Sequence, residues 1–71
     1  MINLRVVEQT KKTVLAEIYN IDPIEIPVKG TEIYVNSESE YVRQVIKSYE
    51  PSENIYQGRP VEYFTWFVVE V

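Results

Sequence analysis

VEYFTWFVVEV, residues 61–71, is the stretch that decides the fold, because it is the longest apolar run of the chain. It contains the only Trp and both Phe of the sequence. Most of its residues are β-branched or aromatic, and such residues favour a pleated strand over a helix. The rest of the sequence has no comparable pattern and no catalytic motif. The sequence therefore predicts an architecture and leaves the function open.

The two faces of this strand differ in character, since side chains of a strand alternate between faces. One face is continuously apolar and is predicted to look into the core. It carries Val61, Tyr63, Thr65, Phe67, Val69 and Val71. The other face is apolar only in its middle, at Phe64, Trp66 and Val68. Two interpretations of these three side chains are open: burial on both faces, as in a small barrel, or an exposed patch that docks a partner.

Size and composition predict one small domain. A chain of this length buries only about 60% of its unfolded surface, and small domains commonly add a disulfide, a metal or a partner subunit. The sequence has no Cys and no His, which excludes disulfides and removes most transition-metal sites. We expect a single domain over residues 1–71 without a cofactor, stabilised by its own core or by self-association.

Charge and hydropathy restrict the partners. The net charge of −4 disfavours nucleic acid, because such binding depends on neutralising phosphates, and it suits a basic protein partner. No stretch approaches the roughly 20 apolar residues of a membrane span. The N-terminus, MINLRVVEQTKK, lacks the basic-then-apolar order of a secretory signal. We expect a cytoplasmic protein with a protein partner and no membrane contact.

The first third of the chain predicts a hairpin and a break. Residues 2–8 and 13–21 alternate between apolar and polar side chains, so they are predicted to pair as antiparallel strands across the polar residues 9–12. Pro23 and Pro27 fix φ and push the preceding residues toward extended geometry. The segment around them is expected to run extended and to stay out of any central strand.

A third strand is predicted at residues 32–36, after a turn at Gly30. In that strand Ile33 and Val35 are expected to point inward and Tyr34 outward.

A family resemblance is carried by residues 26–35, IPVKGTEIYV, and residues 41–46, YVRQVI. A Pro-x-x-Gly turn leads into a short strand, then a polar turn, then a strand that opens with Tyr. This pattern resembles small phage and prophage proteins of unassigned function, and it is similar to the turns and strands of SH3-like barrels. The resemblance implies a small β-barrel of viral or mobile-element origin and no activity. The spacer at residues 37–40 is expected to be longer than a tight hairpin turn.

Residues 37–49 fit two structures. Ser37 followed by Glu40 matches a helix capping box, and Pro51 lies just beyond the segment, as after many helices. The same residues alternate as a strand, and residues 61–71 need a long pairing partner. We predict the strand, and the alternative is a helix at residues 38–50 packed on the sheet.

Residues 50–60, EPSENIYQGRP, are predicted to form a loop, because Pro, Gly and polar residues dominate them. Ile55 and Tyr56 are expected to anchor this loop over an open edge of the core.

Catalytic chemistry is disfavoured by what the sequence lacks. A Ser-His-Asp or Cys-His arrangement requires residue types that are missing. Gly30 and Gly58 stand far apart, so there is no Gly-rich phosphate loop, and Asp22 is the only Asp, so there is no calcium loop. A pair of carboxylates remains formally possible, but a chain of this size leaves little room for a substrate cleft. We expect that the protein is not an enzyme.

Three binding hypotheses follow. A protein partner would contact the aromatic residues, which dominate binding hot spots. The candidates are Phe64, Trp66, Tyr34 and Tyr49. Single-stranded nucleic acid would bind an aromatic and basic strand face. The candidates for that face are Tyr41, Arg43, Lys47 and Tyr49. The third hypothesis is a structural homo-oligomer that pairs edge strands.

The predicted fold is all-β: a small, five-stranded, antiparallel SH3-like barrel with strands in mostly sequential order. The alternative is an α+β fold with the helix described above. The predicted function is non-catalytic protein binding by an accessory protein of phage or prophage type.

Overall fold

The computed structural model describes residues 2–71, and most of them lie in strands. In chain order the strands are β1 Ile2–Glu8, β2 Thr13–Ile18, β3 Glu32–Val35, β4 Glu38–Tyr41, β5 Gln44–Pro51, β6 Ile55–Tyr56, β7 Arg59–Pro60 and β8 Tyr63–Glu70. A single 3₁₀ turn, Pro23–Glu25, is capped by the Asp22 side chain. The predicted predominance of β structure is confirmed. The alternative helix at residues 38–50 is wrong, because β4 and β5 occupy that segment.

The main sheet has four strands in the order β2-β1-β8-β5. β1 pairs with β2 in antiparallel fashion, and β8 pairs with β5 in the same way. The two antiparallel pairs join through β1 and β8, which run parallel, with Ile2 beside Thr65 and Val6 beside Val69. The expectation of mostly sequential antiparallel order is therefore wrong at the centre of the sheet, where the first and last strands lie side by side.

Two short hairpins complete the fold. β3 pairs with β4, and β6 pairs with β7. The sheets do not close on one another, so the five-stranded barrel is not confirmed. The described chain is elongated, with extents of 45 × 27 × 19 Å. Its length comes from the β5–β8 hairpin, which β6 and β7 continue outward.

The core lies on one face of the main sheet. It consists of the buried side chains Leu4, Val6, Val42, Val69 and Val71, with Leu15, Ala16, Ile21, Ile33, Val35 and Val45 packed against them. The inward prediction for Ile33 and Val35 is confirmed, and Tyr34 points outward. Val42 extends the pairing of the β3–β4 hairpin by one residue: its N–H donates to the Thr31 carbonyl, and its own carbonyl accepts from the Gly30 N–H.

Two tight turns were not predicted. Asn36 and Ser37 both have positive φ, at 53° and 68°, which is the geometry of a two-residue type I′ hairpin turn. Gln57 and Gly58 repeat it, with φ of 52° and 77°. The expected long spacer at residues 37–40 is wrong, because β4 begins at Glu38 directly after the first of these turns.

Candidate functional site

The outer part of the β5–β8 hairpin stands away from the rest of the described chain. Among residues 2–71, the pairing of β1 with β8 ends at Ile2 and Thr65, and residues 50–64 pair only with one another. We call these residues the arm. Its two sides pair within the strands, Glu50 with Phe64 and Tyr56 with Arg59. Between those strands they are joined by hydrogen bonds from the Ser52 N–H to Glu62 and from the Val61 N–H to Asn54. Since a lone two-stranded ribbon is only marginally stable in water, the arm is poorly supported by its own fold.

Apolar side chains cover the arm and remain in solvent. Their exposed fractions range from 41% at Phe64 to 67% at Ile55. The full set is Ile55, Tyr56, Val61, Tyr63 and Phe64, and Tyr49 is exposed at the base of the arm. The predicted loop at residues 50–60 is wrong, because the arm is a hairpin. Ile55 and Tyr56 do not anchor over the core, since they lie at the arm's outer end.

The prolines of the arm lie where a strand tolerates them. Pro51 is opposite Tyr63, and Pro60 is opposite Ile55. Each of these pairs lies one step from a hydrogen-bonded neighbour, Ser52–Glu62 in the first case and Asn54–Val61 in the second. Hydrogen-bonded and unbonded pairs alternate along an antiparallel ladder, so neither proline removes a bond. Composition typical of a loop is thus compatible with a hairpin, here one whose register shifts by one residue between the pairs Ser52–Glu62 and Asn54–Val61.

Trp66 is buried on the sheet face that lies opposite the core. It is only 6% exposed. The guanidinium carbon of Arg5 lies 4.1 Å from the indole ring centroid, and Tyr19 meets the indole edge-on with 5.5 Å between ring centroids. Burial on both faces of the strand therefore holds at Trp66. Phe64, two residues away on the same face, is left half-exposed.

Arg5 is held over Trp66 by two carboxylates. Its Nε–H donates to Glu17 and its Nη1–H to Glu50, each at 2.7 Å. Glu17 lies on β2 and Glu50 on β5, so the guanidinium bridges the sheet from one edge strand to the other. Opposite charges that hold each other across strands stabilise a sheet modestly. Beneath them, buried Asn3 accepts a hydrogen bond from the Asn20 backbone N–H at 3.0 Å.

Acid should weaken this bridge. The hydrogen bond from Arg5 lowers the pKa of Glu17 below its ordinary value of 4.5. A depressed carboxyl pKa contributes stability above the ordinary value, and that contribution is lost as pH falls through the lowered one. We expect the melting temperature of the wild type to exceed that of Glu17→Gln at pH 6, and the difference to shrink below pH 4.5.

The matched control for this measurement is Glu38→Gln, since Glu38 forms no ion pair among the described residues. The difference in melting temperature between wild type and Glu38→Gln should not shrink on acidification as that of Glu17→Gln does. A Glu17→Gln difference that stays constant from pH 6 to pH 3 would contradict the bridge.

A shallow apolar groove lies on the core side of the sheet, between β1–β2 and the β3–β4 hairpin. Its volume is about 340 Å³. The floor is Leu4, Val6, Ala16 and Ile18, and the walls and rim are Glu25, Pro27, Ile33, Tyr34, Val35 and Asn36. The floor residues belong to or adjoin the core, so the groove is an open margin of the core and contains one ionisable carboxyl, that of Glu25.

The structure does not gather the predicted partner-binding residues into one surface. Phe64 belongs to the arm and Tyr49 lies at its base, but register places them on opposite faces of the hairpin. Tyr34 is exposed on the separate β3–β4 hairpin. Trp66 is covered, as described above.

The residues predicted for nucleic acid are also divided. Lys47 and Tyr49 share one face of β5, and the Lys47 ammonium lies 5.3 Å from the Tyr49 ring centroid. Tyr41 ends β4 and Arg43 lies in the connection to β5. The chain bends between them at buried Val42, so the four side chains do not line one strand.

Sequence reasoning missed Ile55, Tyr56, Val61 and Tyr63 as surface candidates. The available signal was Gln57-Gly58, a dipeptide suited to a type I′ turn because Gly takes positive φ without strain. Such a turn predicts a strand on each side of it, so it indicates a strand at Ile55-Tyr56.

Among residues 2–71 no set of three acidic side chains is arranged to hold a metal ion. In the same residues no helix is long and apolar enough to cross a membrane. Comparisons with family models, curated proteins and solved structures find no match. The resemblance to phage-type SH3-like proteins therefore stays a prediction.

Proposed function

We propose that this protein is a non-catalytic binding module that docks a protein partner through the arm. The observation that carries the proposal is the set of five exposed apolar side chains on residues 50–64. Consecutive side chains of a strand point to opposite faces, so these five lie on both faces of the ribbon, and a partner covers them all only by enclosing it. Exposed apolar surface marks interaction sites, and aromatic side chains are enriched among binding hot spots. Three of the five are aromatic, at Tyr56, Tyr63 and Phe64.

The energetics of the arm support the same proposal. A partner that covers the arm removes these side chains from water, and each Å² of apolar surface buried contributes about 25 cal/mol. It also supplies the packing that a lone two-stranded ribbon lacks. Within the arm, Glu53 and Glu62 outnumber the single cation Arg59, since Glu50 is already paired with Arg5. A surface with an apolar cleft and basic residues at its rim complements this charge.

The arm variant Ile55→Ser/Tyr56→Ser is expected to lose the partner and keep its fold. Both side chains are about two-thirds exposed, so removing them should change the free energy of unfolding by about 0.5 kcal/mol or less each. Loss of hot-spot side chains should weaken binding by at least about tenfold. The measurement is quantitative capture from bacterial lysate by tagged wild type and variant, after circular dichroism has verified both folds.

The control variant is Tyr34→Ser. It removes a tyrosine of the β3–β4 hairpin, outside the arm, that is more exposed than Tyr56. The proposal requires that this variant capture the same protein as wild type. Equal capture by all three proteins, or none by any, would refute docking through the arm. A photo-crosslinking residue at position 56 should also label the partner, and one at position 34 should not.

A further inference from the structure

β5 is an edge strand whose outer edge is open. It ends the sheet order β2-β1-β8-β5. The bond from the Ser52 N–H to the Glu62 carbonyl fixes which residues of the ladder are hydrogen-bonded to β8. Bonded pairs alternate with unbonded ones, so the even-numbered residues of β5 bond to β8. The odd-numbered residues, Val45, Lys47 and Tyr49, direct their N–H and C=O groups away from the sheet.

No hydrogen bond from another part of the described chain reaches the backbone of these three residues. The opposite edge of the sheet differs, because the carbonyl of Leu15 on β2 already accepts from the Asn36 side chain. Pro51, which has no N–H to offer, ends the open edge on the side of the arm. The open edge is therefore one short, defined row of donors and acceptors beside the base of the arm.

The side chains of these three residues indicate which kind of strand could pair with the open edge. Val45, Lys47 and Tyr49 share one face, with the cation between two apolar residues. Lys47 is exposed, and among the described residues it forms no ion pair; its ammonium only overlies the Tyr49 ring. Opposite charges directly across two strands stabilise their pairing, and like charges destabilise it.

We propose that an extended segment of the partner adds to β5 as a fifth strand, with an acidic residue opposite Lys47 and apolar residues opposite Val45 and Tyr49. The proposal rests on the proposed function and specifies the partner's chemistry. Main-chain bonds to an open edge supply affinity, and alternate side chains supply specificity. A second copy of this chain fits less well, because two-fold pairing centred on Lys47 opposes two ammonium groups.

The probe is a short synthetic peptide with glutamate at its centre, valine two residues to either side and threonine elsewhere. The control peptide has lysine at the centre. Amide hydrogen exchange is followed by NMR. Without peptide, the amides of Val45, Lys47 and Tyr49 should exchange fast and those of Ile46 and Ser48 slowly. The glutamate peptide should slow the three outward amides by about tenfold or more, and the lysine peptide should not.

Two variants test the geometry and the charge separately. Lys47→Pro removes an outward N–H that the ladder does not use, so Ile46 and Ser48 should remain protected while peptide binding is lost. Lys47→Glu should reverse the preference between the two peptides. The arm variant Ile55→Ser/Tyr56→Ser should bind the glutamate peptide as wild type does, which separates this test from that of the arm.

Five results would overturn the addition of a partner strand. Four come from the peptides and variants: no protection, protection at β2 instead of β5, equal binding of both peptides, or unchanged binding by Lys47→Pro. Protection of the outward amides that rises with protein concentration in the absence of peptide would assign the edge to a second copy, and would equally overturn it. Any of these leaves docking through the arm to be judged by its own variants.

Discussion

Replacing Trp66 by alanine is expected to lower the free energy of unfolding by about 3–5 kcal/mol, the usual cost of removing a large buried aromatic side chain. The indole is 6% exposed, beneath Arg5 and beside Tyr19. A domain of this length has a total stability of about 4–11 kcal/mol. The substitution therefore removes a large part of it. Chemical and thermal unfolding followed by far-ultraviolet circular dichroism measure the loss.

Phe64→Ala is the matched control for this substitution. Phe64 lies on the same strand and the same face, two residues away, and is 41% exposed. We expect it to change the free energy of unfolding by about 1 kcal/mol or less. Equal losses in the two variants would contradict the burial of the indole. A Trp66→Ala variant with wild-type stability would return Trp66 to the candidates for docking.

The burial of Trp66 beneath Arg5 is a feature that the sequence could not predict. Alternation along residues 61–71 places Trp66 on the face away from the core, and that prediction is compatible with either burial or exposure. The deciding residue is Arg5, which lies at the other end of the sequence. Its guanidinium reaches the indole only because β1 lies beside β8. No local pattern reports which strand will be the neighbour.

The parallel pairing of β1 with β8 could not be predicted for the same reason: local patterns do not show which strands become neighbours. Periodicity located both strands, and it predicted the core-facing side of β1 and of β8 from Thr65 onward, because a half-buried strand needs alternating side chains. Val61 and Tyr63, which were predicted to look into the core as well, are exposed. Periodicity does not specify the partner or the direction of pairing. An antiparallel order of successive strands is the default for short connections, and here it holds within each hairpin and fails between them.

The arm was missed for a different reason. Pro51, Gly58 and Pro60 are typical of loops, and the prediction weighed composition above pairing. In the structure both prolines lie at positions whose N–H the ladder does not use, and Gly58 supplies the positive φ of the turn. A hairpin can therefore contain three such residues. The sequence therefore did not indicate the exposed surface of the arm, because its Pro and Gly residues are typical of loops although they also fit a hairpin.

Replacing Val69 by aspartate is expected to unfold the protein at neutral pH. Val69 is fully buried at the centre of the sheet, with Val6 on one side and Val45 on the other. None of these neighbours can hydrogen-bond or pair with a carboxylate, and an uncompensated buried charge costs about 3–5 kcal/mol or more. The loss of the valine's own packing adds to that figure. Together they match or exceed the total stability expected for a chain of this size.

Val14→Asp separates burial from strand propensity, because it makes the same change in β2 at a side chain that is 51% exposed. This control should stay folded, with a loss of about 1 kcal/mol. Trp66 fluorescence and amide dispersion in NMR spectra distinguish the two variants. Acidification should restore part of the structure of Val69→Asp alone, because protonation removes the buried charge. A Val69→Asp variant that melts cooperatively at neutral pH with native fluorescence would show that β8 does not lie between β1 and β5.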